Sequence, residues 1–109
     1  MDEIYLNGSF VPRSKAQISI MDRGFLFGDG VYELIPVFNK KVFLLDEHLA
    51  RLKNSLNLIQ MSDVKGLDKI IHELIKKNIK NTFYIYLHIT RGFQGSRNHI
   101  YPENIEPTV

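Results

Sequence analysis

The sequence predicts an α+β fold, in which a largely antiparallel sheet built from hairpins carries two helices packed on one face. Three observations lead to this prediction. Asn7-Gly8 separates two short alternating runs, which is a strong signal for a two-residue hairpin. Apolar residues recur at helical spacing over residues 47–59 and 67–80, which indicates two amphipathic helices. Residues 83–90 alternate between apolar and polar side chains, as a half-buried strand does.

The strands follow from alternation and from the residues that interrupt it. Pro12 ends the second strand because proline has no backbone donor for a ladder. Asn39-Lys40-Lys41 turns the chain between the two strands of a second hairpin, and residues 106–109 have the pattern of a further strand that is cut off. The predicted strands comprise residues 3–6, 9–11, 16–21, 31–38, 42–45 and 83–90.

Each helix has a predicted start and an apolar stripe. Asp46 is a suitable N-cap for the first helix, and Glu47 follows near the positive end of the helix dipole. Gly66 precedes the second helix, and Lys76, Lys77 and Lys80 lie at its end, where positive charge is favourable. The stripes consist of Leu49, Leu52, Leu56 and Ile59 in the first helix and of Ile70, Ile71, Leu74, Ile75 and Ile79 in the second.

A constrained loop is predicted within residues 21–33, a stretch whose last three residues begin the longest strand, 31–38. Its glycines Gly24, Gly28 and Gly30 permit tight turns and close backbone approach. The loop delivers Tyr32 and Glu33 at the beginning of the strand. A loop–strand junction of this kind is a chemically plausible place for a site.

Composition limits the classes of function. The 109 residues fit one domain, and 44% of them are hydrophobic, which is enough for a core. A net charge of +2 with scattered lysines does not indicate a nucleic-acid partner. The chain has no cysteine, so a disulfide, a thiolate metal site or a cysteine nucleophile within it is excluded. No apolar run is long enough to span a bilayer, and no signal peptide is recognisable; we therefore expect a cytoplasmic protein.

Four side chains are candidates for binding. Arg51 suits an anion, although a lone arginine on a helix is more often a solvated charge. Tyr32 presents a hydroxyl, but a strand tyrosine often only packs. Arg97 and His99 are two residues apart, so in an extended segment they project to one side and converge on a carboxylate. The alternative for this pair is a basic surface loop.

The other histidines carry weaker signals. His48 lies in the opening turn of the first helix and His72 on the polar side of the second, and both are interpreted as structural or exposed. His88 shares a strand face with Tyr84 and Tyr86, which either line a cleft or pack. No spacing of histidine and acidic residues predicts a metal site, and the glycines fit neither a Walker nor a Rossmann pattern.

Four segments together resemble the class IV (fold type IV) pyridoxal-phosphate aminotransferases. They are DRGFLFGDGVYE at residues 22–33, EHLARL at 47–52, TRG at 90–92 and SRNHIYP at 96–102. The last one resembles the Arg-x-His segment of the D-amino acid aminotransferase subgroup. The resemblance covers nearly the whole chain, and the motifs occur in the family's order.

The resemblance implies roles for these residues. Arg51 matches the arginine that holds the 5′-phosphate of pyridoxal phosphate, and Tyr32 matches a tyrosine near the substrate carboxylate. Arg97 and His99 match the pair that binds the α-carboxylate, reaching the site from the neighbouring subunit of a homodimer. The Schiff-base lysine belongs to a second domain in this family. Residues 1–109 are therefore expected to be the N-terminal domain of a two-domain enzyme, without a catalytic residue of its own and inactive by itself.

Several functions stay open from the sequence. The first is a transaminase that moves an amino group between a D-amino acid and a 2-oxo acid. The second is an aminodeoxychorismate lyase or a branched-chain aminotransferase of the same family. The third is a truncated module that binds a phosphate, a carboxylate or a partner without catalysis. The residues beyond Val109 would separate an enzyme from such a module. Neither side-chain preference nor stereochemistry follows from these residues.

Overall fold

The computed structural model describes residues 3–109 and confirms the α+β prediction. Strands β1 and β2 form an antiparallel pair, and β3 lies between β4 and β5 in a three-stranded sheet, with β3 and β4 antiparallel. The elements are β1 (Glu3–Leu6), β2 (Ser9–Pro12), a 3₁₀ turn (Arg13–Lys15), α1 (Arg23–Phe27), β3 (Gly30–Phe38), β4 (Lys41–Val42), α2 (Leu45–Leu58), α3 (Leu67–Lys77) and β5 (Phe83–Thr90).

The chain divides into two compact units. The first is Tyr32–Leu87, which contains α2 and α3. The second contains the described residues up to Val31 together with His88–Val109. No helix in the described part of the chain is both long enough and apolar enough to cross a membrane.

The first unit has its core between its helices and one face of its strands. Alternate residues of β3 point inward, so Ile35 and Val37 are buried while Leu34 is exposed. Leu52 and Leu56 of α2 are buried as the stripe predicted. The buried core cluster consists of Ile35, Val37, Ile71, Ile75 and Ile85, and Leu45, Leu49, Leu74, Phe83 and Leu87 are among the side chains that pack against it.

The start of α2 differs from the prediction. The strand predicted over residues 42–45 stops at Val42, because Leu44 adopts a left-handed conformation (φ 52°) and turns the chain into the helix. Leu44 is the N-cap and makes no side-chain capping bond, so the prediction of Asp46 as N-cap is wrong. Asp46 and Glu47 instead lie in the first turn, where negative charge complements the helix dipole.

The second long helix ends at Lys77, three residues before the predicted end. Asn78 has an extended conformation, and Ile79 beyond it is 86% exposed, so it does not extend the apolar stripe. Lys40 Nζ donates to the carbonyl oxygens of Ile75 (2.9 Å) and Asn78. A cation therefore satisfies carbonyls that the helix leaves without an internal partner.

In the second unit, the predicted hairpin is confirmed. Asn7 and Gly8 both have positive φ, as a primed two-residue turn requires, and Leu6 pairs with Ser9. The strand predicted over residues 16–21 is wrong. Ser19 uses its carbonyl to accept from the Asp22 N–H and its hydroxyl to accept from the Met21 N–H, so local turn bonds replace a ladder.

The glycine-rich loop contains a short third helix, α1, which the sequence analysis did not predict. The Asp22 carboxylate caps its beginning by accepting from the Gly24 N–H at 2.8 Å. Gly28 ends it in the left-handed conformation and donates its N–H to the carbonyls of Arg23 and Gly24. Near the end of the chain, Thr108 forms an antiparallel bridge with Thr90, in agreement with the extended pattern predicted there.

Candidate functional site

The beginning of β3 presents neighbouring residues to opposite sides. The Tyr32 side chain faces outward and is 63% exposed, and its ring lies 5.8 Å from that of Tyr86. Glu33 faces inward and is 4% exposed. Tyr84 and Tyr86 on β5 are also exposed, so aromatic rings with polar tips occupy one face of this unit.

Glu33 binds two side chains of α2. Arg51 donates from Nε to Oε2 at 2.9 Å and from Nη2 to Oε1 at 2.8 Å, while Nδ1 of His48 lies 2.7 Å from Oε1. His48 and Arg51 are three residues apart, which places them on the same side of the helix. A single buried carboxylate therefore fixes both the arginine and the histidine.

This geometry keeps the Glu33 carboxyl ionised. Burial opposes its ionisation, but hydrogen bonds from Arg51 and then His48 outweigh that cost, and the pKa of Glu33 lies below its usual value. The Glu33 carboxylate in turn raises the pKa of the Arg51 guanidinium. The Arg51 side chain is 67% exposed, so the guanidinium is oriented by Glu33 on one edge and accessible to solvent on the other.

Arg51 is therefore not simply a solvated helix charge. Its fork is aligned by a partner that the sequence analysis placed at the strand start but did not connect to it. Within residues 3–109, the hydrogen bonds of Arg51 use Nε and Nη2 and leave Nη1 available. The signal for this pairing was present: Glu33 has the same phase as Ile35 and Val37, and a charged residue at a buried strand position requires a partner.

Arg97 and His99 meet at one aromatic ring in the second unit. The Arg97 Cζ lies 4.7 Å from the centroid of the Phe27 ring, and the His99 ring centroid lies 4.9 Å from it. Both side chains belong to exposed residues in an irregular segment after β5. The structure thus brings the two sequence candidates to a common contact, on a residue of α1 that the sequence analysis did not single out.

Arg23 holds the same segment by its backbone. This arginine is 1% exposed, and its Nε donates to Asp29 Oδ2 at 2.7 Å. Its Nη1 donates to the Asn98 carbonyl and to Gln94 Oε1, and its Nη2 donates to the His99 carbonyl at 3.3 Å. Sequence analysis missed this role because the glycine-rich run was interpreted as a turn-forming loop.

Asp29 is shared by two arginines. Arg91 Nε donates to the same Oδ2 atom at 2.7 Å, and its Cζ lies 3.7 Å from the centroid of the Tyr101 ring. Burial opposes ionisation of Asp29, but hydrogen bonds from Arg91 and Arg23 outweigh it and lower the pKa of Asp29. The carboxylate thus stays charged and anchors both guanidinium groups.

Asp22 makes the second polar centre of this unit. Besides capping α1, its carboxylate accepts from Thr90 Oγ1 at 2.7 Å and from Thr108 Oγ1 at 2.6 Å. Short charge-assisted bonds of this kind are stronger than neutral ones. They tie the beginning of α1 to the end of β5 and to the last residues of the chain.

The remaining histidines have structural or surface positions. His48 is a partner of Glu33, which agrees with its interpretation as structural. His72 is exposed, and its Nδ1 contacts the Asp68 carbonyl at 2.7 Å. His88 is exposed on β5. Across the described residues, no group of three or more histidine and acidic side chains is arranged to hold a metal ion.

Comparisons with known proteins identify similar chains. A family model described as amino-transferase class IV matches residues 30–109. The D-alanine aminotransferase of Staphylococcus aureus (strain MSSA476) is 41% identical over 113 residues, a match that covers 100% of this chain and 40% of that protein. The chain therefore spans 40% of the length of this relative.

Two solved structures show the same fold. The branched-chain amino acid aminotransferase from Escherichia coli matches with a TM-score of 0.86 and 24% identity, over 98% of this chain and 38% of that one. The 4-amino-4-deoxychorismate lyase from Pseudomonas aeruginosa matches with a TM-score of 0.68 and 28% identity, over 85% of this chain and 34% of that one.

Proposed function

Because this chain belongs to the class IV aminotransferase family, we propose that it is the N-terminal domain of a pyridoxal-phosphate-dependent transaminase. The enzyme moves an amino group between a D-amino acid and a 2-oxo acid. The 41% identity to a D-alanine aminotransferase supports this substrate class. The family match confirms the resemblance predicted from the four sequence segments.

Class IV aminotransferases depend on pyridoxal phosphate, and the donor set around Arg51 fits the cofactor's phosphate. A phosphate accepts hydrogen bonds from the planar fork of a guanidinium. Glu33 occupies the inner edge of that fork and fixes its direction, while the outer edge stays accessible. We therefore assign Arg51 to the phosphate, with Glu33 and His48 holding Arg51 in place.

When bound, pyridoxal phosphate supplies an electron sink for the chemistry at the amino acid's α-carbon. The residues of this chain bind and orient. Arg51 retains the cofactor through its phosphate. Tyr32, Arg97 and His99 bind the substrate α-carboxylate, to which they offer a hydroxyl, a guanidinium and an imidazole. Arg97 and His99 serve the site of the neighbouring subunit in a cytoplasmic homodimer. The catalytic lysine comes from a second domain.

The observation that carries this proposal is the Glu33–Arg51 pair, which presents an oriented, accessible guanidinium. Its test is Arg51→Ala in the full-length protein, with Lys53→Ala as the control because Lys53 is exposed on the same helix. We expect the dissociation constant of pyridoxal phosphate to rise roughly tenfold to a hundredfold, since a charge-assisted contact is lost. The KM for D-alanine, measured at saturating cofactor, should change little.

The outcome that contradicts the proposal is equally clear. If Arg51→Ala and Lys53→Ala retain the cofactor equally well, Arg51 does not hold the phosphate. Cofactor release is followed by absorbance and fluorescence, so this result does not depend on turnover.

A lyase of the same family is the second candidate, favoured by the match to the 4-amino-4-deoxychorismate lyase. The two activities differ in what becomes of the amino group. A transaminase forms glutamate when D-alanine and 2-oxoglutarate are supplied together. A lyase releases a cleaved product from aminodeoxychorismate and forms no glutamate. The two assays on one preparation of the full-length protein therefore separate these two candidates.

A further inference from the structure

We propose that Arg23 and Phe27 of α1 are positioning residues for the carboxylate site. They hold residues 97–99 so that Arg97 and His99 reach a substrate carboxylate together. This inference rests on the proposed function of Arg97 and His99 and extends it to two residues that touch neither cofactor nor substrate. The ligand class is the α-carboxylate of an amino acid.

The backbone of the segment is fixed by Arg23. Residues 94–101 lie outside every helix and strand, so no ladder of their own holds them. Arg23 donates to two successive carbonyls, those of Asn98 and His99, while its Nε is bound to the buried Asp29 carboxylate. One end of the guanidinium is therefore anchored in the interior, and the other sets the path of the backbone between Arg97 and His99.

The side chains of the segment are fixed by Phe27. Its ring contacts the His99 ring and lies under the Arg97 guanidinium, and the Arg23 guanidinium lies at the same 4.7 Å from its centroid. An aromatic ring attracts cations through its quadrupole. Phe27 thus gives both exposed side chains a common support and reduces the number of rotamers that they sample.

This support matters because a carboxylate binds best to a guanidinium whose paired N–H donors already have a defined direction. A long exposed arginine loses conformational entropy when it binds, and a contact that orders it in advance lowers that cost. Ordering of this kind strengthens substrate binding and does not change the electronic demands of the chemical step. Loss of the support should therefore raise the KM for the amino acid more than it lowers kcat.

The decisive variant is Phe27→Leu in the full-length protein, with Phe25→Leu as its matched control. Both residues belong to α1 and undergo the same chemical change, but Phe25 is 71% exposed. In Phe27→Leu we expect lower backbone NMR order parameters in residues 94–101 and a KM for D-alanine raised about two- to fivefold. Phe25→Leu should match the wild type in both measurements.

Arg23→Lys tests the other part of the proposal, that Arg23 holds the backbone of residues 97–99. Lysine retains the charge beside Asp29, but its single ammonium does not span two carbonyls as a guanidinium does. We expect a larger fall in the backbone order parameters of residues 94–101 than for Phe27→Leu, with cofactor retention unchanged. If Arg23→Lys does not fold, Phe27→Leu decides alone, because Phe27 is only half-buried and its replacement is apolar.

The results distinguish this inference from the proposed function. Equal order parameters and equal KM in Phe27→Leu and Phe25→Leu would overturn the positioning role. Lower order parameters with an unchanged KM would also overturn it, because the support would then not serve the carboxylate. If the wild type does not transaminate D-alanine, the proposed function fails, whereas the order-parameter comparison needs no substrate and still tests the support itself.

Discussion

Glu33 illustrates how one buried charge organises several others. A carboxylate on the inner face of β3 costs free energy unless it is paired, and here its partners are Arg51 and His48. The ion pair between Glu33 and Arg51 determines the direction of the Arg51 guanidinium. The stability of the first unit therefore depends on the Glu33 side chain, and so does the orientation of Arg51, the proposed phosphate-binding residue.

The depressed pKa values of Glu33 and Asp29 predict an acid-sensitive fold. Because each carboxyl has a lower pKa folded than unfolded, the unfolded chain binds more protons as the pH falls. The stabilisation is present above the ordinary carboxyl pKa of about 4 and is lost as the pH falls through the lower folded values. In Glu33→Gln we expect a free energy of unfolding about 1–3 kcal/mol lower at neutral pH and a shallower decline in acid.

Urea denaturation between neutral and acidic pH measures this effect. Glu47→Gln is the control, because Glu47 is exposed in the first turn of α2. An acid decline in Glu33→Gln as steep as that of the wild type would show that the ion pair contributes no pH-dependent stability.

At this scale the sequence identified the candidates but not their partners. Tyr32, Arg51, Arg97 and His99 were recognisable by residue type and by motif. The contact of Arg51 with Glu33, and those of Arg97 and His99 with Phe27, depend on which faces meet after folding. A single sequence gives the phase of a strand or helix but not the neighbour opposite it, so the roles of Arg23 and Asp29 were also missed.

Among the elements, those with local signals were predicted best. The Asn7-Gly8 hairpin and β5 were placed correctly because turn type and alternation are properties of a few adjacent residues. The predicted start of α2 and the predicted length of β4 were wrong, because the left-handed conformation of Leu44 has no sequence signature. Likewise α1 was missed, since its five residues are too few for a periodic pattern to appear.

The connection after β5 gives a matched pair of glycine variants. Gly92 and Gly8 have nearly equal φ values, +107° and +98°, so alanine meets a similar backbone penalty at both. A Cβ at Gly92 would lie 2.0 Å from the Glu106 carbonyl oxygen, whereas nothing lies within 4 Å of one at Gly8. We expect Gly92→Ala to destabilise the protein by about 1–3 kcal/mol more than Gly8→Ala.

Thermal and urea denaturation of the two variants measure the difference. If both lose the same free energy of unfolding, then residues 92 and 106 separate readily and the close approach is unimportant for stability. Fold retention is checked by circular dichroism before the comparison.

For the molecule as a whole, the proposed division of labour predicts that the 109-residue chain alone has no transaminase activity. It supplies binding groups, but the catalytic lysine is assigned to a second domain. With pyridoxal phosphate, D-alanine and 2-oxoglutarate, we expect no glutamate above the background of free cofactor. The full-length protein is the positive control. Turnover that one lysine substitution in this chain abolishes would contradict the prediction.

The last prediction concerns how two subunits share a site. Arg51 is proposed to serve its own subunit's site, while Arg97 serves the neighbour's. A homodimer of full-length Arg51→Ala or of Arg97→Ala then has a defect in both sites. In a mixed dimer, by contrast, one site receives both defects and the other receives neither.

We therefore expect the mixed dimer of Arg51→Ala and Arg97→Ala to regain about half of the wild-type kcat per dimer, with a wild-type KM for D-alanine. Two affinity tags on co-expressed chains allow the mixed dimer to be purified, and each variant homodimer is the control. If Arg97 served its own subunit instead, every site in the mixed dimer would carry one defect and no normal site would form. Activity no higher than that of the homodimers would thus contradict the shared site, because the experiment depends on which subunit supplies Arg97 and not on how much each residue contributes.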